Sequence, residues 1–146
     1  MTTILIAEDN AMVGLLMEAD LSDAGYDVLG PYPRTGPCLQ AARDAAAKGG
    51  VSLALLDIDL AGGDSGIELA ERLQAEHGTP CLFVTGQAYD AATAGGAALG
   101  ALAKPFTSEA LLAATRAALA AARGEPKEES DVVWFDGANG AGATVR

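Results

Sequence analysis

The chain has 146 residues, half of them apolar, and a formal net charge of −11. That length fits one domain able to bury about 70% of its unfolded surface. The acidic balance excludes non-specific nucleic-acid binding, which needs clustered Lys and Arg. No apolar stretch reaches the roughly 18 residues of a membrane span, and Met1-Thr2-Thr3 lacks the basic region of a signal peptide. A cytoplasmic protein away from membranes is expected.

Thr3 to Ala7 reads as a short apolar strand that ends at Glu8-Asp9. Asn10 can cap a helix carrying Met12, Leu15, Leu16, Ala19 and Leu21, which Gly25 stops. Asp27 to Gly30 is a poorer strand closed by Pro31, and Gly36 to Lys48 an alanine-rich helix with Leu39, Ala42 and Ala46 on one face. Val51 to Leu56 is apolar except for Ser52 and runs straight into Asp57-Ile58-Asp59, the pattern of a strand buried on both faces. After Gly62-Gly63, Ser65 to His77 forms a helix that turns Ile67, Ala70 and Leu73 inward.

Pro80 to Thr85 is a fourth buried strand, followed by Gly86. Gln87 to Ala98 has helical character, yet Thr93, Gly95 and Gly96 weaken it, each interior Gly costing about 1 kcal/mol relative to Ala. This element is expected to be the most mobile. Leu99 to Ala103 is a fifth strand ending at Lys104-Pro105, and Thr107 caps a last helix with Leu111, Ala114 and Ala118 on one stripe. Cys38 and Cys81 lack metal-type spacing and read as reduced thiols.

Five strands alternating with five helices predict βαβ units and an α/β fold with a parallel sheet covered on both faces. The domain is drawn over 1–123. From Gly124 the chain turns charged and then glycine-rich, so 124–146 is expected to be a flexible tail. Val132-Val133-Trp134-Phe135 is the exception, an apolar cluster suited to packing back on the domain.

Four strands finish in reactive or charged residues: Glu8-Asp9, Asp57, Thr85 and Lys104. Any one of them can be a cap or a surface turn; parallel strands bring all four to one edge, where such sheets bind ligands. Carboxylates gathered there repel unless a cation relieves them. A hard divalent ion such as Mg²⁺ suits one or two carboxylates with water and phosphate oxygens. Asp57 can then be a nucleophile toward phosphorus, with the metal and Lys104 neutralising charge and Thr85 donating to a phosphoryl oxygen.

Ile4-Leu5-Ile6-Ala7-Glu8-Asp9, Leu55-Leu56-Asp57, Val84-Thr85-Gly86 and Lys104-Pro105-Phe106 follow one another in the order and spacing of a known family. Over about residues 3–122 the chain resembles the receiver domain of bacterial two-component response regulators. The resemblance implies a flavodoxin-like (βα)5 fold of strand order 2-1-3-4-5. It makes Asp57 the acceptor of phosphate from a histidine kinase or phosphotransfer protein. Mg²⁺ is then held by Glu8, Asp9, Asp57 and the Asp59 backbone carbonyl, and the Lys104–Pro105 peptide is cis.

This chain departs from the family in places. Where most receivers carry an aromatic that works with the Thr, it has Ala101, and Glu8 stands where Asp is frequent. Gly30-Pro31, Phe83-Val84-Thr85-Gly86 and the missing aromatic are similar to the single-domain subgroup with a Phe-Ala-Thr-Gly-type motif, partners of less common histidine kinases. Asp59 adds an acid beside the site that can influence hydrolysis of the acyl phosphate. No effector domain is expected in the last 24 or so residues, so output would run through protein contact, a homodimer, or phosphate shuttling.

Two rival readings compete. Asp57-Ile58-Asp59 also resembles the nucleophile motif of haloacid-dehalogenase-type phosphatases, but there the nucleophile lies on the first strand and an acidic pair comes late. Here the acidic pair comes first. A receiver that binds a partner without phosphorylation is the other, and the presence of Asp57, Thr85 and Lys104 together speaks against it.

Overall fold

A computed structural model describes residues 2–86 and 96–135. The apolar runs become strands β1 (Thr3–Ala7), β2 (Asp27–Tyr32), β3 (Leu53–Leu56), β4 (Cys81–Thr85) and β5 (Ala98–Ala103). These five pair in parallel in the order β2-β1-β3-β4-β5, a flavodoxin-like α/β sheet. A sixth strand, β6 (Val133–Trp134), adds antiparallel to β5. Every residue of β3 and β4 is buried, because helices cover both faces of the sheet.

The described helices are α1 (Ala11–Asp23), α2 (Thr35–Ala46), α3 (Gly66–His77) and α4 (Ser108–Ala122). On one face α2 and α3 bury Leu39, Leu69 and Leu73 against Leu56 and Phe83. On the other, α1 and α4 bury Met17, Leu21, Leu111 and Ala118 against Ile4, Leu55 and Leu82. Asn10 and Thr107 cap as expected, and Ser65, read as the first helical residue, is a cap instead; each accepts backbone N–H donors of the first helical turn. Cys38 and Cys81 are unpaired and buried, and that burial pushes both thiols up to about 12.

Several expectations need correction. The apolar face assigned to α1 is turned around: Met12, Leu15 and Leu16 are 68%, 58% and 58% exposed, while Gly14, Met17 and Leu21 are buried. Gly14 sets this rotation, because a Cβ there would lie 2.7 Å from Pro31 Cγ, so α1 can approach β2 only along its glycine. On α2, Cys38 replaces Ala46 in the buried face, and on α3 Leu69 takes the deepest place rather than Ile67. β2 continues through Pro31 to Tyr32, which its position at the sheet edge permits. Of the helix and its mobility expected over Gln87–Ala98, residues 87–95 lie outside the described residues, and Ala98 opens β5.

Within the stretch after Gly124, Val132–Phe135 packs back on the sheet, as its apolar cluster suggested. Val132 and Phe135 are buried, and β6 completes the ladder. Residues 136–146 lie outside the described residues. No described helix is long and apolar enough to cross a membrane.

Candidate functional site

The parallel register carries the reactive residues to one edge. Ala7 lies opposite Leu56, so the residues after them, Glu8 and Asp57, leave neighbouring strands side by side. Thr85 ends β4 opposite Ala103 of β5, and Lys104 follows directly. All four strand ends singled out in the sequence therefore meet. Ligand oxygens of Glu8, Asp9 and Asp57 lie within 4.8 Å of one another.

Lys104 ties this cluster together. Its Nζ lies 2.7 Å from a carboxylate oxygen of Asp57 and 2.7 Å from one of Glu8. The second Glu8 oxygen accepts the Asn10 N–H at 3.0 Å, and the second Asp57 oxygen accepts the Ile58 N–H at 2.7 Å. The Lys104 N–H donates to the Thr85 carbonyl at 3.0 Å, which fixes the end of β5 to the end of β4. Thr85 itself is buried. The Lys104–Pro105 peptide is cis, as the resemblance implies, and so is Gly30–Pro31.

The charges are unequally housed. The Glu8 side chain is 1% exposed and that of Asp57 11%, while Asp9 faces solvent. Burial raises the Glu8 carboxyl above its usual range and outweighs the hydrogen bonds from Lys104 and Asn10 that pull it down. Burial also pulls Lys104 down, but its hydrogen bonds to Asp57 and Glu8 win and leave the ammonium more basic than usual. Among the described residues, one ammonium against three carboxylates leaves a negative pocket of oxygen ligands with a partly open side. That donor set fits a hard divalent ion such as Mg²⁺. Asp59 is exposed and pairs with Ser65 in an isolated antiparallel bridge, so its side chain stands outside the carboxylate cluster.

Three further features adjoin the site. Gly66, the first residue of α3, packs directly on the backbone of Asp57, and a Cβ there would collide with the Asp57 carbonyl oxygen. The loop after Asp57 is also anchored at Asp64, whose carboxylate accepts the Thr35 N–H, the Thr35 hydroxyl and the Arg34 Nε–H. Those partners, the Thr35 N–H first, hold the Asp64 carboxyl below its ordinary range. The third is the exposed apolar patch of α1, which begins two residues beyond the Asn10 cap. An interior Gly in a helix was a legible signal of close approach at Gly14; nothing local in the sequence marks the contact at Gly66.

The sequence profile of the response regulator receiver domain matches residues 4–116. The chain belongs to the response regulator receiver domain family. Receiver domains serve two-component signalling, and the matched span of this one holds every residue of the cluster. Among curated proteins, the uncharacterized transcriptional regulatory protein YkoG of Bacillus subtilis is 38% identical over 120 residues, covering 80% of this chain and 50% of that protein. Response regulator ArlR of Staphylococcus haemolyticus is 33% identical over 142 residues, covering 94% of this chain and 59% of its own length. The chain thus spans less than two thirds of either relative.

Solved receiver structures share the fold. The signal receiver domain of a modulated diguanylate cyclase from Desulfovibrio desulfuricans superposes with TM-score 0.68 at 30% identity, covering 85% of this chain and 98% of that one. A CheY-like receiver protein from Methanospirillum hungatei gives TM-score 0.72 at 25% identity, covering 86% and 99%. The chemotaxis response regulator CheY4 of Vibrio cholerae gives 0.70 at 24% identity, covering 81% and 98%, and supports the fold alone.

Proposed function

We propose that this receiver domain accepts a phosphoryl group on Asp57 from a histidine kinase or phosphotransfer protein, and signals by protein contact or passes the phosphate on. The observation that carries this reading is the Lys104 ammonium, 2.7 Å from both Asp57 and Glu8 at the edge where three carboxylates converge. A carboxylate oxygen of Asp57 attacks phosphorus, the bond from phosphorus to the donor's imidazole nitrogen breaks, and the imidazole keeps the electron pair. Ile58 N–H and Lys104 hold the Asp57 carboxylate in place before attack. Lys104 then neutralises charge on the transferred group, and the Thr85 hydroxyl donates to one of its oxygens. Mg²⁺, held by Glu8, Asp9, Asp57 and the Asp59 carbonyl, supplies the remaining charge neutralisation when bound.

The chain acts on no separate substrate in this reading; it phosphorylates and dephosphorylates itself. Met12, Leu15 and Leu16, on the first two turns of the helix that follows the acidic pair, give the donor an apolar face to dock on. Incubation with acetyl phosphate and Mg²⁺ should add one phosphoryl mass to the full chain and none to Asp57→Asn, without turnover of a small phosphate ester. Identical masses for wild type and Asp57→Asn would sink the assignment.

A further inference from the structure

The C-terminal segment closes the β5 edge with very little strand. Among the described residues, β6 pairs Trp134 with Gly100 and Val133 with Ala101, and the Phe135 N–H donates to the Leu99 carbonyl at 3.0 Å. Its side chains still reach both faces of the sheet. Phe135 enters the cluster of Phe83 and Ala101, with the two phenyl centroids 6.2 Å apart, and Val132 enters the cluster of Leu102 and Leu111. Gly100 makes this approach possible: a Cβ there would lie 2.5 Å from the Val133 carbonyl oxygen and 3.1 Å from Trp134 Cα. Ala101, small where it faces Phe83, leaves room for the Phe135 ring.

Charged contacts around the segment are exposed. Arg116 meets Glu128 at 3.3 Å and Lys127 stands 4.5 Å over the Trp134 ring, contacts that contribute little in water. The seat, by contrast, is wired to the pocket. Val133 ends a cross-strand row that runs Ala7, Leu56, Phe83, Ala101, Val133. Ala7 and Leu56 immediately precede Glu8 and Asp57. Phe83 and Thr85 project from the same face of β4, being two residues apart. The two strands that form the seat are therefore the two whose ends carry Thr85 and Lys104.

We propose that Val132–Phe135 is a strap whose docking on β5 is coupled to the phosphorylation state of Asp57. It rests on the phosphoacceptor reading above. The strap is docked while Lys104 bridges Glu8 and Asp57, and it loosens when a phosphoryl group draws Lys104 and Thr85 toward itself. The seat fits the strap at the present positions of β4 and β5, and close-packed contacts are lost on displacement rather than stretched. Coupling runs both ways, so a chain whose strap cannot dock favours the phosphorylated form.

Trp134 is the chain's sole tryptophan, so its fluorescence reports the strap without a label. The full chain is treated with acetyl phosphate and Mg²⁺, and adduct mass is followed beside acrylamide quenching of Trp134 and hydrogen exchange of the Phe135 amide. The undocked fraction should rise about tenfold in the phosphorylated chain, a typical site-to-site coupling, and stay unchanged in Asp57→Asn. Phe135→Ala and Gly100→Val should be quenched readily before treatment and should accumulate more adduct than wild type. If both variants unfold, exchange of the Phe135 amide in the wild type decides alone. An adduct with unchanged quenching and exchange overturns the strap and leaves Asp57 as acceptor. Absence of the adduct overturns the acceptor assignment and the strap with it.

Discussion

Replacing Lys104 by Met keeps an unbranched side chain only one atom shorter and removes the cation shared by Glu8 and Asp57. Asp57 is 11% exposed and can turn toward water, whereas Glu8, at 1%, cannot. Breaking a buried ion pair from one side costs about 3–5 kcal/mol; the partial exposure of Lys104 reduces this to about 2–4 kcal/mol at pH 7. With a urea slope of about 2 kcal/mol per molar, the midpoint should fall by about 1–2 M in metal-free buffer. The loss should also depend on pH with a definite sign. Glu8 is already raised by burial, so it contributes stability below the ordinary carboxyl value and loses it as pH climbs through the raised one. Without Lys104 that carboxyl rises further. The deficit of the variant should therefore shrink by about 1–2 kcal/mol between pH 7 and pH 5, since one pH unit of protonation is worth about 1.4 kcal/mol. Lys104 itself does not titrate in this window, because its raised value lies above the ordinary lysine range. Equal urea midpoints for wild type and Lys104→Met at pH 7 in chelator, or a deficit unchanged at pH 5, would refute the assignment of Glu8 as the dependent partner.

Two other substitutions separate structure from docking. Gly66→Ala forces a methyl group against the Asp57 carbonyl and should cost about 1–3 kcal/mol in urea titration, with slower acetyl-phosphate labelling; an unchanged midpoint would mean that α3 shifts freely. Changing Met12, Leu15 and Leu16 together to Gln should alter stability by less than about 0.5 kcal/mol per site and leave acetyl-phosphate labelling intact. It should slow phosphotransfer from a histidine-containing donor protein, and equal transfer rates would move the docking face elsewhere.

The sheet and the pocket were largely legible in the sequence, because buried parallel strands write their pattern as uninterrupted apolar runs and their ends fall on one edge. Leu53–Leu56 into Asp57 and Cys81–Thr85 are of this kind. Helix orientation was less legible. On α1 the apolar residues Met12, Leu15 and Leu16 mimic a core stripe, yet packing is decided by the shape of Gly14 against Pro31, a contact between residues 17 positions apart. Gly66 against Asp57 and Gly100 against Val133 escape for the same reason: a glycine's value lies in what its missing side chain admits, and only the fold supplies that neighbour. The composition after Gly124 resembles a solvated tail, yet the apolar cluster Val132–Phe135 within it marked the anchor, and only the pairing with β5 had to come from the fold.

The family profile stops at residue 116, but the folded unit continues to Phe135. Shortening the protein at the end of α4 would leave Leu99, Gly100 and Ala101 with bare backbone donors and acceptors along an apolar strand. Such edges stick to one another. For anyone handling this domain, the twelve residues after Arg123 work as a solubility guard for the sheet, and a trimmed version would be prone to self-association that says nothing about the signalling state of the intact protein.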